Sequence, residues 1–254
     1  MITGAGMLAK AFEAAYSGRP REFVFASGVA NSNCLDAAKF DREHRALEAA
    51  LETGRAMDVV VYFSTCCIAD PSRRTTAYVQ HKMAMERAVA MHPGHLILRL
   101  PQLAGRSTNQ HTLLNFLHAR ISRGEPFDLW KNAQRSVIDV ADVVIIADHL
   151  ITTMGVRHAT LNIANPHLHD IGTIVSVMEE AVGRKAVFNL TQQGSTCPID
   201  LGPMLEAAAT MNVNFDDDYL RRTIHRYYAS DERQEAALTN PAATDASAPM
   251  IRAA

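Results

Sequence analysis

Asp58-Val59-Val60-Val61-Tyr62-Phe63-Ser64-Thr65 is apolar at odd and even positions alike until it ends in two hydroxyl residues. A strand with that pattern meets water on neither face, which is the habit of strands inside parallel sheets. Its neighbours repeat the theme. Ile2-Thr3 and Phe23-Val24-Phe25-Ala26 precede it, and Leu96-Ile97-Leu98-Arg99-Leu100 follows, stopped by Pro101. Further strands are expected over 137–140, 160–164 and 185–190. Between them lie helical spacings over 7–16, 40–51, 78–91, 112–123, 141–153, 171–182, 204–211 and 218–228. In the helix over 40–51 the apolar stripe reads Phe40, His44, Leu47, Leu51. Strands alternating with helices predict an α/β protein, a Rossmann-like doubly wound parallel sheet whose ligands sit at the carboxyl ends of the strands.

The composition suits one such domain: 254 residues, 48% hydrophobic, formal net charge -2. That charge gives no global basic field for nucleic acid or an anionic membrane. No run of about eighteen apolar residues is present, and the start lacks a signal peptide's pattern. Cys34, Cys66, Cys67 and Cys197 fit neither a zinc spacing nor a disulfide framework, so free thiols in the cytoplasm are expected. No metal is expected: His167 and His169 have no further ligand at a suitable spacing. From Ala229 the text turns to Ala, Thr, Asp, Ser and Pro, predicting a disordered tail over 229–254.

Two strings carry chemistry. Gly4-Ala5-Gly6-Met7-Leu8-Ala9 is a G-x-G-x-x-A turn between strand and helix, where backbone amides can approach a pyrophosphate. A tight turn and nothing more is the plain alternative. Tyr78-Val79-Gln80-His81-Lys82 is a Y-x-x-x-K, which on a helix places tyrosine and lysine on one face. There the lysine can lower the phenol's pKa and hold a ribose hydroxyl. Ser64 and Thr65 end the buried strand where a hydroxyl could meet the substrate oxygen. His81 points off the Tyr/Lys face, and a surface role is expected for it. Arg99 reads as a strand residue paired with a carboxylate.

Taken in order, these strings resemble the extended short-chain dehydrogenase/reductases, the nucleotide-sugar epimerase, dehydratase and ketoreductase family. The likeness rests on Gly4 to Ala9, Ser64-Thr65, Tyr78 to Lys82, Arg99 to Gly105 and Ile138 to Val143. The stretch Phe25-Ala26-Ser27-Gly28 with the helix over 40–51 is similar to dTDP-4-dehydrorhamnose reductases and to members tied to surface-polysaccharide synthesis. The resemblance implies a nucleotide-binding domain over 1–228, with substrate elements in about 105–136 and 165–228 forming a small C-terminal lobe. It implies NAD or NADP as cofactor and a nucleotide-sugar as substrate; a homodimer, or a covering segment, is expected where missing strands would leave the first strand an open edge. Tyr78 would be the acid/base, Lys82 its tuner and ribose ligand, and Thr65 the residue that orients the sugar oxygen. Gly4, Gly6, Met7, Leu8, Ser27, Gly28, Ser64, Lys82 and Pro101 would hold the cofactor, and Cys66, Asn132 and Arg135 the substrate. Gly194-Ser195 with Pro198-Ile199-Asp200 is similar to the family's late substrate loop.

Three departures shape the reading. Only residues 7–22 separate the Gly-rich turn from the strand over 23–26. Either that strand is the family's second, without its acidic tip, or the second and third strands are deleted. We favour the deletion, which leaves the adenosine half-site incomplete and NAD indistinguishable from NADP. Cys66-Cys67 stand where the 4,6-dehydratases carry Asp-Glu, which argues against elimination chemistry. The segment 66–77 is short, so whether Thr65 reaches Tyr78 is open. An epimerase or 4-ketoreductase is thus set against a non-catalytic relative that serves as a scaffold.

Overall fold

The computed structural model describes residues 1–196 and 199–229; the expected tail beyond 229, together with Cys197 and Pro198, lies outside them. In chain order the elements are β1 (Ile2–Thr3), α1 (Met7–Tyr16), β2 (Glu22–Phe25), α2 (Ala37–Thr53), β3 (Val59–Thr65), α3 (Ala77–Ala90), β4 (His95–Leu100), β5 (Gln102–Ala104) and α4 (Leu113–Arg123). There follow β6 (Phe127–Trp130), β7 (Gln134–Arg135), β8 (Val137–Asp139), α5 (Val140–Thr152), β9 (Ala159–Asn162), β10 (His169–Asp170), α6 (Ile171–Val182), β11 (Phe188–Thr191), α7 (Gly202–Thr210) and α8 (Tyr219–Tyr228).

The main sheet runs β1-β2-β3-β4-β9, every pair parallel. All seven residues of β3 are buried, as its composition demands. Val59, Val61 and Phe63 face a core shared with Phe12 and Tyr16 of α1, Val143, Ile146 and Leu150 of α5, and Met204 of α7. Val60 and Tyr62 face the opposite core, with Leu47 of α2 and Met85 and Val89 of α3. Helices therefore cover both faces.

The strand order decides between the two sequence readings. The dinucleotide fold winds 3-2-1-4-5-6, reversing at its first strand. Had β2 been the second strand and β3 the hydroxyl-ended strand from beyond the reversal, β3 would pair with β1 on its far side. It pairs with β2, so the order runs one way and β1 is an edge. Removing strands two and three from 3-2-1-4-5-6 leaves this one-way order. Handedness agrees. β1-α1-β2 and β2-α2-β3 step in the same direction, yet α1 and α2 lie on opposite faces. The two crossovers must then be of opposite hand, although right-handed ones make up about 98% of such connections. In the 3-2-1-4-5-6 fold the first helix lies on the face that serves strands beyond β1, and α1 keeping that face accounts for the exception.

A second core lies beyond the sheet. Leu114, Leu117 and Ile121 of α4 pack with Ile174 and Met178 of α6, Leu220 and Ile224 of α8, and Phe127 and Leu129 of β6. Three two-stranded ladders, β10-β7, β11-β6 and β5-β8, frame it. Short strands of this kind inside 102–135 were not expected from the sequence. Asp139 ties this lobe to the sheet domain. It caps α5 by accepting from the Ala141 amide at 2.8 Å, and it accepts from Tyr227 and Arg226 of α8, each at 2.6 Å. No helix among the described residues is long and apolar enough to cross a membrane.

Candidate active site

The carboxyl ends of β2, β3 and β4 open into a cavity of about 660 Å3 that extends under the second lobe. The Gly-rich turn forms one end of it through Gly6, Met7 and Leu8. Gly6 is the N-cap of α1 and offers no side-chain cap, so the first amides of the helix face outward. Gly4 lies off the wall and serves the turn itself. It has φ +135, and a Cβ there would stand 2.4 Å from the Ala26 carbonyl oxygen, so only glycine lets the turn pass β2 this closely.

Tyr78 and Lys82, one helical turn apart on α3, are both buried and both line the cavity. Lys82 Nζ is 6.0 Å from the centre of the Tyr78 ring. Burial pushes the Tyr78 phenol well above the usual range, with Cys67 adding to the rise and the Thr65 hydroxyl opposing it. Thr65 and Tyr78 line the same cavity, despite the short segment between them. Two brief 3-10 turns over 66–69 and 71–73 make this possible by folding that segment tightly. Thr65 Oγ1 starts the first of them by accepting from the Cys67 amide at 3.2 Å.

Lys82 has a partner the sequence did not disclose. Its ammonium donates to Glu43 Oε1 at 2.8 Å and to the Tyr62 hydroxyl at 3.2 Å. Tyr62 donates to the same Glu43 oxygen at 2.8 Å, and the Val29 amide donates to the other at 2.7 Å. His81 Nε2 lies 3.0 Å from Glu43 Oε2. The ring of His81 is 8% exposed and stacks on Phe40 at 4.6 Å, so the surface role expected for it is corrected: it packs against α2. The α2 stripe is also turned by one residue. Glu43, Leu47 and Ala50 are buried, and His44 is exposed beside Glu48. Burial would raise the Glu43 carboxyl, but the His81, Lys82 and Val29 contacts outweigh it and bring it down to about 2. Gly28 gives the group room: a Cβ there would meet Lys82 Nζ at 2.7 Å and Glu43 Oε1 at 3.0 Å.

The other expected residues divide. Ser64, Gly28, Pro101 and Arg135 reach the cavity wall. Ser64 Oγ is buried there and has no hydrogen-bond partner. Burial lowers the pKa of Arg135, which donates to the Gln134 and Ser195 carbonyls at 2.7 and 2.9 Å. Ser27, Cys66 and Asn132 are not brought to the wall. Ser27 is exposed; Cys66 Sγ turns to the Arg99 carbonyl at 3.4 Å; Asn132 is exposed and donates to the Gln192 carbonyl at 3.1 Å. Cys67 takes the place at the wall that Cys66 was expected to fill. Arg73, not anticipated, borders both this cavity and a smaller one of about 400 Å3 beside Trp130 and Arg135. Its Nε is buried without a hydrogen-bond partner, while Nη2 donates to the Ser32 carbonyl at 2.7 Å. Arg99 makes a two-pronged pair with Glu86 at 2.8 and 2.6 Å, as a structural strand residue would. His167 Nε2 is engaged by the Phe215 carbonyl at 2.8 Å, and no cluster of three His, Cys, Asp or Glu occurs among the described residues.

Neither a family model nor a curated protein matches the chain. Solved structures do. RMD from Pseudomonas aeruginosa, complexed with NADPH, superposes with a TM-score of 0.65 at 13% identity, covering 89% of this chain and 96% of that one. UDP-glucose 4-epimerase from Thermus thermophilus, complexed with NAD, gives 0.61 at 16% identity over 86% and 81%. dTDP-glucose 4,6-dehydratase from Bacillus anthracis, complexed with NAD, gives 0.63 at 13% over 89% and 77%. The Rossmann-like architecture expected from the sequence is thus the architecture found, in a shortened form.

Proposed function

We propose that the chain is an NAD(P)-dependent oxidoreductase acting on a sugar hydroxyl or ketone of a nucleotide-sugar, as an epimerase or a 4-ketoreductase. One observation carries the reading: Thr65, Tyr78, Lys82 and the uncapped start of α1 lie along a single cavity. Similarity to solved epimerase, dehydratase and RMD structures that hold NAD or NADPH supports it.

The residues present fit the nicotinamide half of such a cofactor. The outward amides of α1 suit its phosphates. An ammonium has three protons, and two on Lys82 are engaged, leaving one for a ribose hydroxyl. Ser64 Oγ is free to bond a polar group of the ligand. Bound there, the nicotinamide would take or supply hydride. Tyr78 would exchange the proton at the substrate oxygen, with Thr65 as second hydrogen-bond partner to that oxygen. Arg135 and Arg73 would face the substrate's diphosphate, and Trp130 offers an aromatic surface beside them. The cytoplasmic setting, the homodimer and the link to surface polysaccharide belong to the same proposal.

The test is a titration with NADH and with NADPH, read by nicotinamide fluorescence, followed by a nucleotide-sugar panel. Binding is expected, and Tyr78→Phe should lower turnover by about 100-fold or more while leaving that binding intact. If neither nucleotide binds, the scaffold reading replaces this one; β1 as a sheet edge is the observation in its favour.

A further inference from the structure

The Lys82 ammonium is not alone in its pocket, and its partner changes what it can do to the tyrosine. Glu43 is 3% exposed and Lys82 also 3%, so neither charge is screened by water. Their contact at 2.8 Å turns two charges into a short dipole. At the distance of the Tyr78 ring, 6.0 Å from Nζ, the field of such a pair is far weaker than that of a lone ammonium. Glu43 is also fixed by two donors besides Lys82, the loop amide of Val29 and the Tyr62 hydroxyl on β3, with His81 Nε2 of α3 3.0 Å from its Oε2. It cannot swing away when a ligand enters. Gly28 lies against the pair, with no room for a side chain.

The polar groups that act on Tyr78 come from several elements. Thr65 and Tyr62 come from β3, and Cys67 and Arg73 from the two turns that follow it. Glu43 comes from α2, and Lys82 from the tyrosine's own helix. Of these only Arg73 is a cation without a carboxylate against it, and its Nη2 is turned to the Ser32 carbonyl and Asn33.

Resting on the nicotinamide reading above, we propose that Glu43 is a positioning residue that pins the Lys82 ammonium at the cavity wall and cancels its charge, so that Tyr78 enters the reaction as a proton donor in carbonyl reduction. The step balances. Hydride from a reduced nicotinamide dinucleotide forms the new C–H bond as the C=O π bond breaks. The substrate oxygen takes the Tyr78 proton, leaving an alcohol, an oxidised nicotinamide and a phenolate that regains its proton from water. The burial that raises the Tyr78 phenol agrees with this direction.

The experiment needs no cofactor. A fluorinated tyrosine, intrinsically more acidic, is placed at position 78 of the full chain, and its titration is followed by fluorine NMR in the wild type, Glu43→Gln, Lys82→Met and the double variant. In Glu43→Gln the midpoint should fall by about one pH unit or more, because the ammonium is no longer offset. In Lys82→Met it should rise, and in the double variant it should return close to the wild-type value. An unchanged midpoint in Glu43→Gln overturns the proposal. So does a double variant that titrates like Lys82→Met, which decides the matter even if Glu43→Gln does not fold. Loss of NADH binding would instead strike the reading of function, and the two failures are read separately.

Discussion

Two buried carboxylates sit in similar company. Glu43, between the sheet and α3, accepts from a tyrosine, a backbone amide and a lysine. Asp139, between the two lobes, accepts from a tyrosine, a backbone amide and an arginine. They differ in the cation. The Lys82 side chain is 4% exposed and borders the cavity, whereas the Arg226 side chain is 59% exposed. Where the cation can reach water, the carboxylate acts as a clamp between elements. Where it cannot, the carboxylate is a condition for the cation being there at all, and the pair becomes part of the site.

That difference predicts unequal losses. Glu43→Ala strands a buried ammonium and should cost about 3–5 kcal/mol in denaturant unfolding. Asp139→Ala removes a helix cap and two hydrogen bonds but leaves Arg226 hydrated, so about 1–3 kcal/mol is expected. Only the first should also weaken NADH binding, because it displaces Lys82. Equal losses, or an equal effect on binding, would break the comparison.

Acid sharpens it. The Glu43 carboxyl is held at about 2, against 4.5 ordinarily. A folded-state pKa below the unfolded one gives stability that is present above the unfolded value and lost as pH falls through the folded one. The loss should therefore run from about pH 5 down to about pH 2 and amount to about 3 kcal/mol. In Lys82→Met one of the contacts that lower this pKa is gone, so the decline should begin at the same pH but end at a higher one and be smaller in total. Unfolding curves across that range decide it. Identical pH dependence in the two proteins would mean that Lys82 does not hold the carboxyl down.

The sequence made the frame legible because β3 and β4 are apolar on both faces and because Gly and Pro mark the ends of α1 and β4. The helix over 7–16 and that over 171–182 are found where the spacing put them. The missing strands were legible as a short interval, and strand order turned that into topology. What could not be read is the Glu43 group. A glutamate in a charged helix reads as solvent-facing, so the stripe of α2 was traced through His44, one residue off. The available signal was indirect. Glu43 is spaced four and seven residues before Leu47 and Ala50, and Lys82 on a buried face required a counter-charge. His81 was misread for the same reason, since its burial depends on Phe40 and Glu43 from another element. Cys66 and Cys67 were not separable because a 3-10 turn begins at that point, and neither helical nor strand periodicity says which thiol faces the cavity.

The smallest expected effect tests the clamp itself. Arg226→Ala removes the exposed half of the Asp139 pair and leaves that carboxylate its bonds from Tyr227 and the Ala141 amide. With its cation exposed, such a pair should contribute about 1 kcal/mol, and salt should erase much of the difference from wild type. The comparison with Lys82→Met is the informative one, since both substitutions delete the cation and keep the carboxylate. At Asp139 the remaining donors and nearby water should suffice. At Glu43 a buried charge is left with no cation against it, and the loss should be several-fold larger and insensitive to salt. Denaturant midpoints for the two variants at low and high salt measure both quantities, and a salt-insensitive loss in Arg226→Ala matching that of Lys82→Met would show that exposure of the cation is not what separates the two sites.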